Sequence, residues 1–144
     1  MMFTNILVPF NISNQSIHAF KTALNIAKKY NSKITLLTCL EGDAWHHKFY
    51  DSRADDELIK KQKKATLIQI AKLEPLAKKD NIIIKTEIIR STSVVKDIIS
   101  YAKSRKIDLI IMGSHSKTGI DKVILGSVAN GVTQKSRCPV LIIK

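Results

Sequence analysis

The chain has 144 residues, a length that suits one domain able to bury a core without disulfide or metal staples. Hydrophobic residues make up 44% and charged residues 25%, which excludes disordered and fibrous classes, and no apolar run approaches the roughly 20 residues of a membrane-spanning helix. The net charge of +12 comes mostly from scattered lysines rather than arginines, so it indicates a solvated surface and argues against a nucleic-acid partner.

The first quarter of the chain predicts a strand, a helix and a second strand. Residues 5–10 form a short apolar run that predicts a strand ending at Pro9. Ser13 then stands where a helix N-cap belongs, and apolar residues at helical spacing predict a helix over 14–30. Residues 33–40 are apolar again and predict the second strand.

The middle of the chain begins with a polar segment. Residues 41–56 have no periodicity and predict a loop, and a long helix is expected over 55–79. Pro75 should kink or shorten that helix, because proline lacks the backbone N–H that a helix interior uses. A third strand is predicted over 82–89.

The last third continues the alternation. Serine and threonine hydroxyls at 91–93 can cap a helix over 94–105, and residues 108–112 predict a strand that stops at Gly113. Apolar spacing places a helix within 121–136, and a final strand covers 139–144. The glycine at 126 favours a later start for that helix, with residues 126–128 as its first amides.

Strands that alternate with helices imply a parallel sheet with helices on both faces. The fold class is therefore α/β, and the chain 1–144 is expected to be a single domain. With five strands the usual order is 3-2-1-4-5, and ligands then bind beyond the carboxyl ends of strands one and four, where the order reverses.

Glycine is concentrated in the loop and helix that follow strand four. A backbone without side chains lets amide N–H groups surround a phosphate, and the positive end of a helix adds to the attraction. Gly113 and the Gly126-Ser127-Val128 segment are the parts of this predicted anion site, with Lys117 and Lys122 on its flanks. The glycine spacings of P-loop NTPases and of dinucleotide-binding folds are absent, which argues against both classes.

These residues carry a family resemblance. The tail MGSHSKTGIDKVILGSVANGVTQKSRCPVLIIK, the opening ILVPFNISNQSIHAF and the segment DIISYAKSRKIDLIIMGS are similar to those of universal stress proteins over the whole chain. The resemblance implies an adenine-nucleotide site at the switch point, a homodimer formed through Val140–Ile143, and ATP, AMP or ADP as ligand with Mg²⁺ on its phosphates.

The resemblance also implies roles for particular residues. The nucleotide-binding branch carries the pattern G-x-x-G-x(9)-G-[ST], which Gly113, Gly126 and Ser127 fill apart from its middle glycine. The residues that the family would place at the nucleotide are, from adenine through ribose to phosphate, Pro9, Cys39, Asn11, Met112, Gly113, Ser116, Ser127 and Val128.

Two positions depart from that pattern. Asn11 stands where the branch usually has Asp, and it can still accept and donate hydrogen bonds. Ser116 stands at the middle glycine, where a positive φ would cost a non-glycine residue about 1–2 kcal/mol and a negative φ would cost little. The alternative to a nucleotide-binding stress-response protein is therefore a dimeric interaction module of the same family that has lost the site.

Other candidates have weaker support. His115 lies in the phosphate loop, where it could contact nucleotide, shuttle a proton, or simply pack. His46 and His47 have too few partners for a metal site and are interpreted as loop residues, and no metal ligands are assigned. The nearby aromatic residues, Trp45, Phe49 and Tyr50, are expected to anchor the loop.

No catalytic constellation stands out in the sequence. The carboxylates expected near the site are Asp121 and, more distantly, Asp43, and slow nucleotide hydrolysis is the most that they would support. Cys39 and Cys138 form no ligand or disulfide pattern and suggest small buried residues in a reducing cytoplasm. The opening residues show no secretory signal, so a cytoplasmic location is expected.

Overall fold

The protein is described by a computed structural model that covers residues 2–42, 52–114 and 125–144. Within these ranges the strands and helices alternate, as the sequence predicts. In chain order the elements are β1 Asn5–Pro9, α1 Asn14–Tyr30, β2 Lys33–Glu41, α2 Ser52–Lys79, β3 Ile84–Ser91, α3 Val94–Ser104, β4 Leu109–Gly113, α4 Ser127–Lys135 and β5 Val140–Ile143.

The five strands form one parallel sheet in the order β3-β2-β1-β4-β5, which confirms the predicted fold class. β1 lies at the centre, with Ile6 paired to Ile34 of β2 on one side and to Leu109 of β4 on the other. Because all the strands are parallel, the carboxyl ends of β1, β2 and β4 meet along one edge of the sheet.

The two faces of the sheet bury separate hydrophobic cores, as the period-two alternation of strand side chains requires. Ile6 and Val8 face α1 and α2, whereas Leu7 faces α3 and α4. β4 divides in the same way, with Leu109 and Ile111 on the first face and Ile110 and Met112 on the second. Strands buried on both faces explain the unbroken apolar runs in the sequence.

The handedness of the connections decides which helix covers which face. Crossovers between parallel strands are right-handed. Helices whose connections carry the chain across the sheet in one direction therefore lie on one face, and helices whose connections run in the other direction lie on the opposite face. α1 and α2 carry the chain from β1 to β2 and β3. α3 and α4 bring it back across the sheet to β4 and on to β5, and they pack on the second face.

Predicted capping residues begin two of the helices. The Ser13 side chain accepts a hydrogen bond from the backbone N–H of Ser16, and Ser93 accepts one from Lys96. Each bond satisfies one of the backbone N–H groups that a helix start leaves without an intrahelical acceptor. α4 begins at Ser127 after Gly126, which agrees with the later of the two starts considered from the sequence.

Several predicted boundaries are wrong by a few residues, and two corrections concern the segment after β2. Glu41 belongs to the strand rather than to a loop, and α2 begins at Ser52 rather than near 55. Pro75 does not shorten α2, which continues to Lys79 because Leu73 and Ala77 remain anchored in the core on either side of it. The third strand runs from Ile84 to Ser91, two residues later than predicted at each end.

The surface agrees with the expectation of solvated lysines, since every lysine in the described ranges is exposed. Within the same ranges no helix is both long enough and apolar enough to cross a membrane.

Gly131 allows α4 to approach α3 closely, and it provides a test of this packing. A Cβ atom at Gly131 would lie 2.8 Å from Cγ2 of Val95. We expect Gly131→Val to lower the free energy of unfolding by about 1–3 kcal/mol, because overpacking forces neighbours apart. Urea denaturation followed by circular dichroism measures the change. Asn130→Val is the control, since it places the same side chain at the adjacent exposed position, and an equal loss in both variants would contradict the packing argument.

Candidate functional site

A cavity of about 240 Å³ opens at the carboxyl edge of the sheet, where the strand order reverses between β1 and β4. Its volume lies near the lower end of the roughly 300–1,000 Å³ that is typical of small-molecule sites. Its walls come from the ends of β1, β2 and β4 and from the first turns of α1, α3 and α4. The described lining residues are Pro9, Phe10, Asn11, Ser13, Ser16, Leu37, Cys39, Glu41, Val94, Ile98, Met112, Gly113, Ser114, Gly126, Ser127, Val128 and Ala129.

The turn after β1 is held by side-chain hydrogen bonds. The Asn11 Oδ1 atom accepts from the backbone N–H of Ser13 at 3.1 Å and from the Ser13 hydroxyl. Ser16 Oγ in turn donates to the Ser13 carbonyl at 2.9 Å. The Asn11 side chain therefore supports the start of α1 through its carbonyl oxygen, a role that an amide performs as well as a carboxylate.

Ile12 carries backbone strain inside this turn. Its φ is 69°, in the left-handed region that a β-branched residue rarely adopts. Its side chain packs against the core of the first face, and the hydrogen bonds of Asn11 and Ser13 hold the residues on either side. These contacts hold Ile12 in its strained conformation at this edge of the sheet.

Backbone hydrogen bonds join the end of β4 to the start of α4. The Ser114 N–H donates to the Ile143 carbonyl at 2.8 Å, and the Ser114 carbonyl accepts from the Gly126 N–H at 2.7 Å. Gly113 lies against α1, where an added Cβ would come within 2.8 Å of the Gln15 Cβ. These contacts hold Gly126 at the rim of the cavity although it is thirteen residues from Gly113 in the chain.

The first turn of α4 presents hydrogen-bond donors to the cavity. Gly126 is the N-cap residue and has no side chain to bond the helix start. The amides of Ser127, Val128 and Ala129 lie in that first turn and have no intrahelical acceptor. All three residues line the cavity, and the positive end of the helix dipole points the same way. This end of the cavity is suited to an anion.

The opposite end of the cavity is apolar and ends at a carboxylate. Leu37, Cys39 and Glu41 alternate along β2 and therefore share the face covered by α3, which contributes Val94 and Ile98. Burial raises the pKa of the Cys39 thiol from 9.0 to about 12, and the negative charges of Asp97 and Glu41 add to the rise. The Cys39 thiol is thus neutral at physiological pH and forms a weakly polar part of the cavity wall.

The structure brings together eight residues that the sequence assigned to the site. Pro9, Asn11, Cys39, Met112, Gly113, Gly126, Ser127 and Val128 all line this cavity. His115 and Ser116, also assigned to it, lie outside the described residues. So do Lys117, Lys122, Asp121 and Asp43, as well as the histidine pair at 46–47 and the aromatic residues at 45, 49 and 50.

Sequence reasoning missed several lining residues. Glu41 is a carboxylate of the lining that the sequence analysis did not expect beside Asp121 and Asp43, and its period-two spacing from Cys39 was the signal that could have found it. Nothing in the sequence indicated that Ser16, Val94 and Ile98 belong to the site, and only the assembled fold shows that they line the cavity.

The described residues offer no metal or disulfide chemistry. No group of three or more His, Cys, Asp or Glu side chains in these ranges could hold a metal ion. Cys39 and Cys138 are half-buried and have free thiols, whereas the sequence suggested small buried residues. The described lining of the cavity is built from amides, hydroxyls and apolar side chains together with the Cys39 thiol and the Glu41 carboxylate.

An open parallel α/β sheet with a cavity where its strand order reverses defines the class of doubly wound α/β domains, and comparison with known proteins specifies the family. The sequence profile of the Universal stress protein family matches residues 2–144. The chain belongs to the universal stress protein family.

Individual relatives agree with this assignment. A universal stress protein of Methanocaldococcus jannaschii is 29% identical over 99% of this chain and 83% of its own length. The solved structure of a universal stress protein from Lactobacillus plantarum is 26% identical and superposes with a TM-score of 0.81, covering 100% of this chain and 99% of the other. A universal stress protein solved in complex with cAMP shares the fold at 24% identity, with a TM-score of 0.74 over 100% and 99% of the two chains.

The raised pKa of the Cys39 thiol predicts that it is alkylated slowly in the folded protein. In a Cys138→Ala background, the rate of iodoacetamide alkylation should keep rising about tenfold per pH unit beyond pH 9, because the thiolate fraction grows until the pKa near 12. In urea the rate should level off near pH 9. Mass spectrometry of quenched samples measures both rates, and a plateau near pH 9 in the folded protein would contradict the burial argument.

Proposed function

We propose that this universal stress protein binds an adenine nucleotide, ATP or its mono- or diphosphate, in the cavity at the switch point. The observation that carries the proposal is the uncapped first turn of α4, whose amides open onto a cavity with an apolar far end. A nucleotide has the matching chemistry, because its phosphates accept hydrogen bonds and its base packs against apolar walls. A family member with the same fold is solved with cAMP, which supports the same ligand class.

In this proposal different lining residues contact different parts of the nucleotide. The amides of Ser127 and Val128 and the Ser127 hydroxyl hold the phosphates, with Mg²⁺ accompanying a polyphosphate. Met112 and Gly113 border the ribose at the end of β4. Pro9 on β1 and Cys39 on β2 border the base, on the side of the cavity away from β4. In this proposal nucleotide occupancy rather than turnover sets the protein's interactions in a cytoplasmic stress response.

Nucleotide binding predicts a ligand-dependent rise in melting temperature. At an ATP-Mg²⁺ concentration about a hundred times Kd, binding adds roughly 2.7 kcal/mol to the free energy of unfolding, a rise of several degrees. NAD should produce a smaller rise, because the glycine motif of dinucleotide sites is absent. Differential scanning fluorimetry measures both, beside a Ser116→Gly variant. A rise in the glycine variant alone would identify a site closed by one side chain and would favour the interaction-module alternative.

A second variant tests whether the first turn of α4 holds the phosphates. Ser127→Asp should leave the fold intact, because a carboxylate is favourable at a helix N-terminus, but it should weaken ATP binding at least tenfold by repelling phosphate. Ser100→Asp places the same charge on an exposed position of α3 and is the matched control. Isothermal titration calorimetry measures both affinities, and equal affinities would remove the α4 amides from the site.

We also propose that the protein is a homodimer through β5. β5 is an edge strand that pairs with β4, and its residues are apolar on both faces, with Leu141 39% exposed. An edge strand of this composition is stabilised by pairing with a second copy, and two-fold symmetry closes the assembly. The symmetric copy would cover the exposed apolar side chains of β5.

The dimer predicts that a charge on β5 produces monomers. Leu141→Lys should shift the mass measured by light scattering at micromolar concentration from dimer to monomer. Leu76→Lys is the matched control, because Leu76 on α2 is also 39% exposed and lies away from β5. A monomeric parent protein, or equal dimer fractions in both variants, would contradict pairing through this edge.

A further inference from the structure

Glu41 is placed at the base end of the proposed nucleotide site by the geometry of β2. It follows Cys39 by two residues, so both side chains lie on the face covered by α3, and both line the cavity. β2 and β4 lie on opposite sides of β1, two strand spacings or roughly 10 Å apart. Glu41 therefore lies on the far side of the cavity from the strand that leads to the α4 amides.

The charge of Glu41 stands alone in the described lining of the cavity. The other described lining residues are apolar, or carry hydroxyl, amide or thiol groups, and include no basic side chain. Nearby Arg90 is engaged with Asp55 and Asp56. Glu41 has no ion pair within the described ranges, and its charge contributes to the raised pKa of Cys39 inside the cavity. Among the residues that the structure describes, the carboxylate thus faces the ligand space without a paired cation.

The two ends of the cavity have opposite hydrogen-bonding character. The α4 end offers N–H donors, whereas the Glu41 carboxylate can only accept. A ligand that satisfies both ends carries an anion at one end and a donor at the other. A nucleotide with an exocyclic amino group on its base has this arrangement, and a ligand that is anionic at both ends would be repelled by Glu41.

We infer that Glu41 is a specificity-determining residue that accepts a hydrogen bond from the amino group of a purine base and so selects adenine over purines without that group. The inference rests on the proposed nucleotide function and deepens it. Specificity arises because the amino group loses its water on binding and finds the carboxylate as a replacement acceptor. A base without the amino group gains nothing at this position.

The test is a double-mutant cycle between the amino group and the side chain. The probes are ATP and purine riboside triphosphate, which has hydrogen in place of the amino group, each titrated with Mg²⁺ by calorimetry. We expect the parent protein to bind ATP about five- to tenfold more tightly than purine riboside triphosphate. This ratio is the contribution of one hydrogen bond to a charged but exposed acceptor. In Glu41→Ala the ratio should fall to near one.

Control variants separate hydrogen bonding from simple charge. Glu74→Gln removes the same charge from an exposed position on α2 and should leave the ratio unchanged. If Glu41 only repels phosphate, Glu41→Ala will tighten both ligands equally with an unchanged ratio, and the inference is overturned while nucleotide binding stands. A parent protein that binds both probes equally overturns it as well. Binding of neither probe overturns the nucleotide function itself.

Discussion

The pairing of β1 with β4 is the constraint on which the rest of the structure depends. After β1 the chain continues through α1 to β2 on one side of the pair, and after β4 it continues through α4 to β5 on the other side. The segments that leave the two strands therefore diverge and leave a cavity above the strand ends. Asp108 helps to hold the opposite edge of this pair, since its carboxylate accepts hydrogen bonds from the backbone N–H groups of Thr4 and Asn5 at 2.8 and 3.0 Å.

The positive charge of the lysines lies on the protein surface, whereas the hydrogen-bond donors of the α4 backbone lie at the cavity. The chain carries a net charge of +12, yet every described lysine is exposed and none lines the cavity. Within the described residues, anion attraction at the site comes from backbone amides of α4, which are fixed in direction and lose no side-chain entropy on binding. In the proposed function, the diffuse lysine charge raises the local concentration of an anionic ligand, while the α4 amides and Glu41 orient it.

The sequence predicted the fold well because local and global signals agree in this protein. Strand runs, helical spacing and caps such as Ser13 and Ser93 are local features, and they reproduced the order of the elements. The errors arose where tertiary packing overrides a local rule. Pro75 lies within α2 because the core holds the helix on both sides, and Glu41 belongs to β2 because β3 pairs with it through Ser91.

The candidate site was predicted less completely, for a physical reason. The sequence by itself determined the glycine and serine positions after β4 and the strand ends that meet at the switch point, because parallel topology brings those ends together. Only the tertiary structure decided that Val94 and Ile98 of α3 line the cavity and that Glu41 is the charged residue of its described lining. Those residues lie in elements far apart in the chain. Which of their side chains share a space depends on how α3 packs over β2, and that packing is a property of the assembled fold.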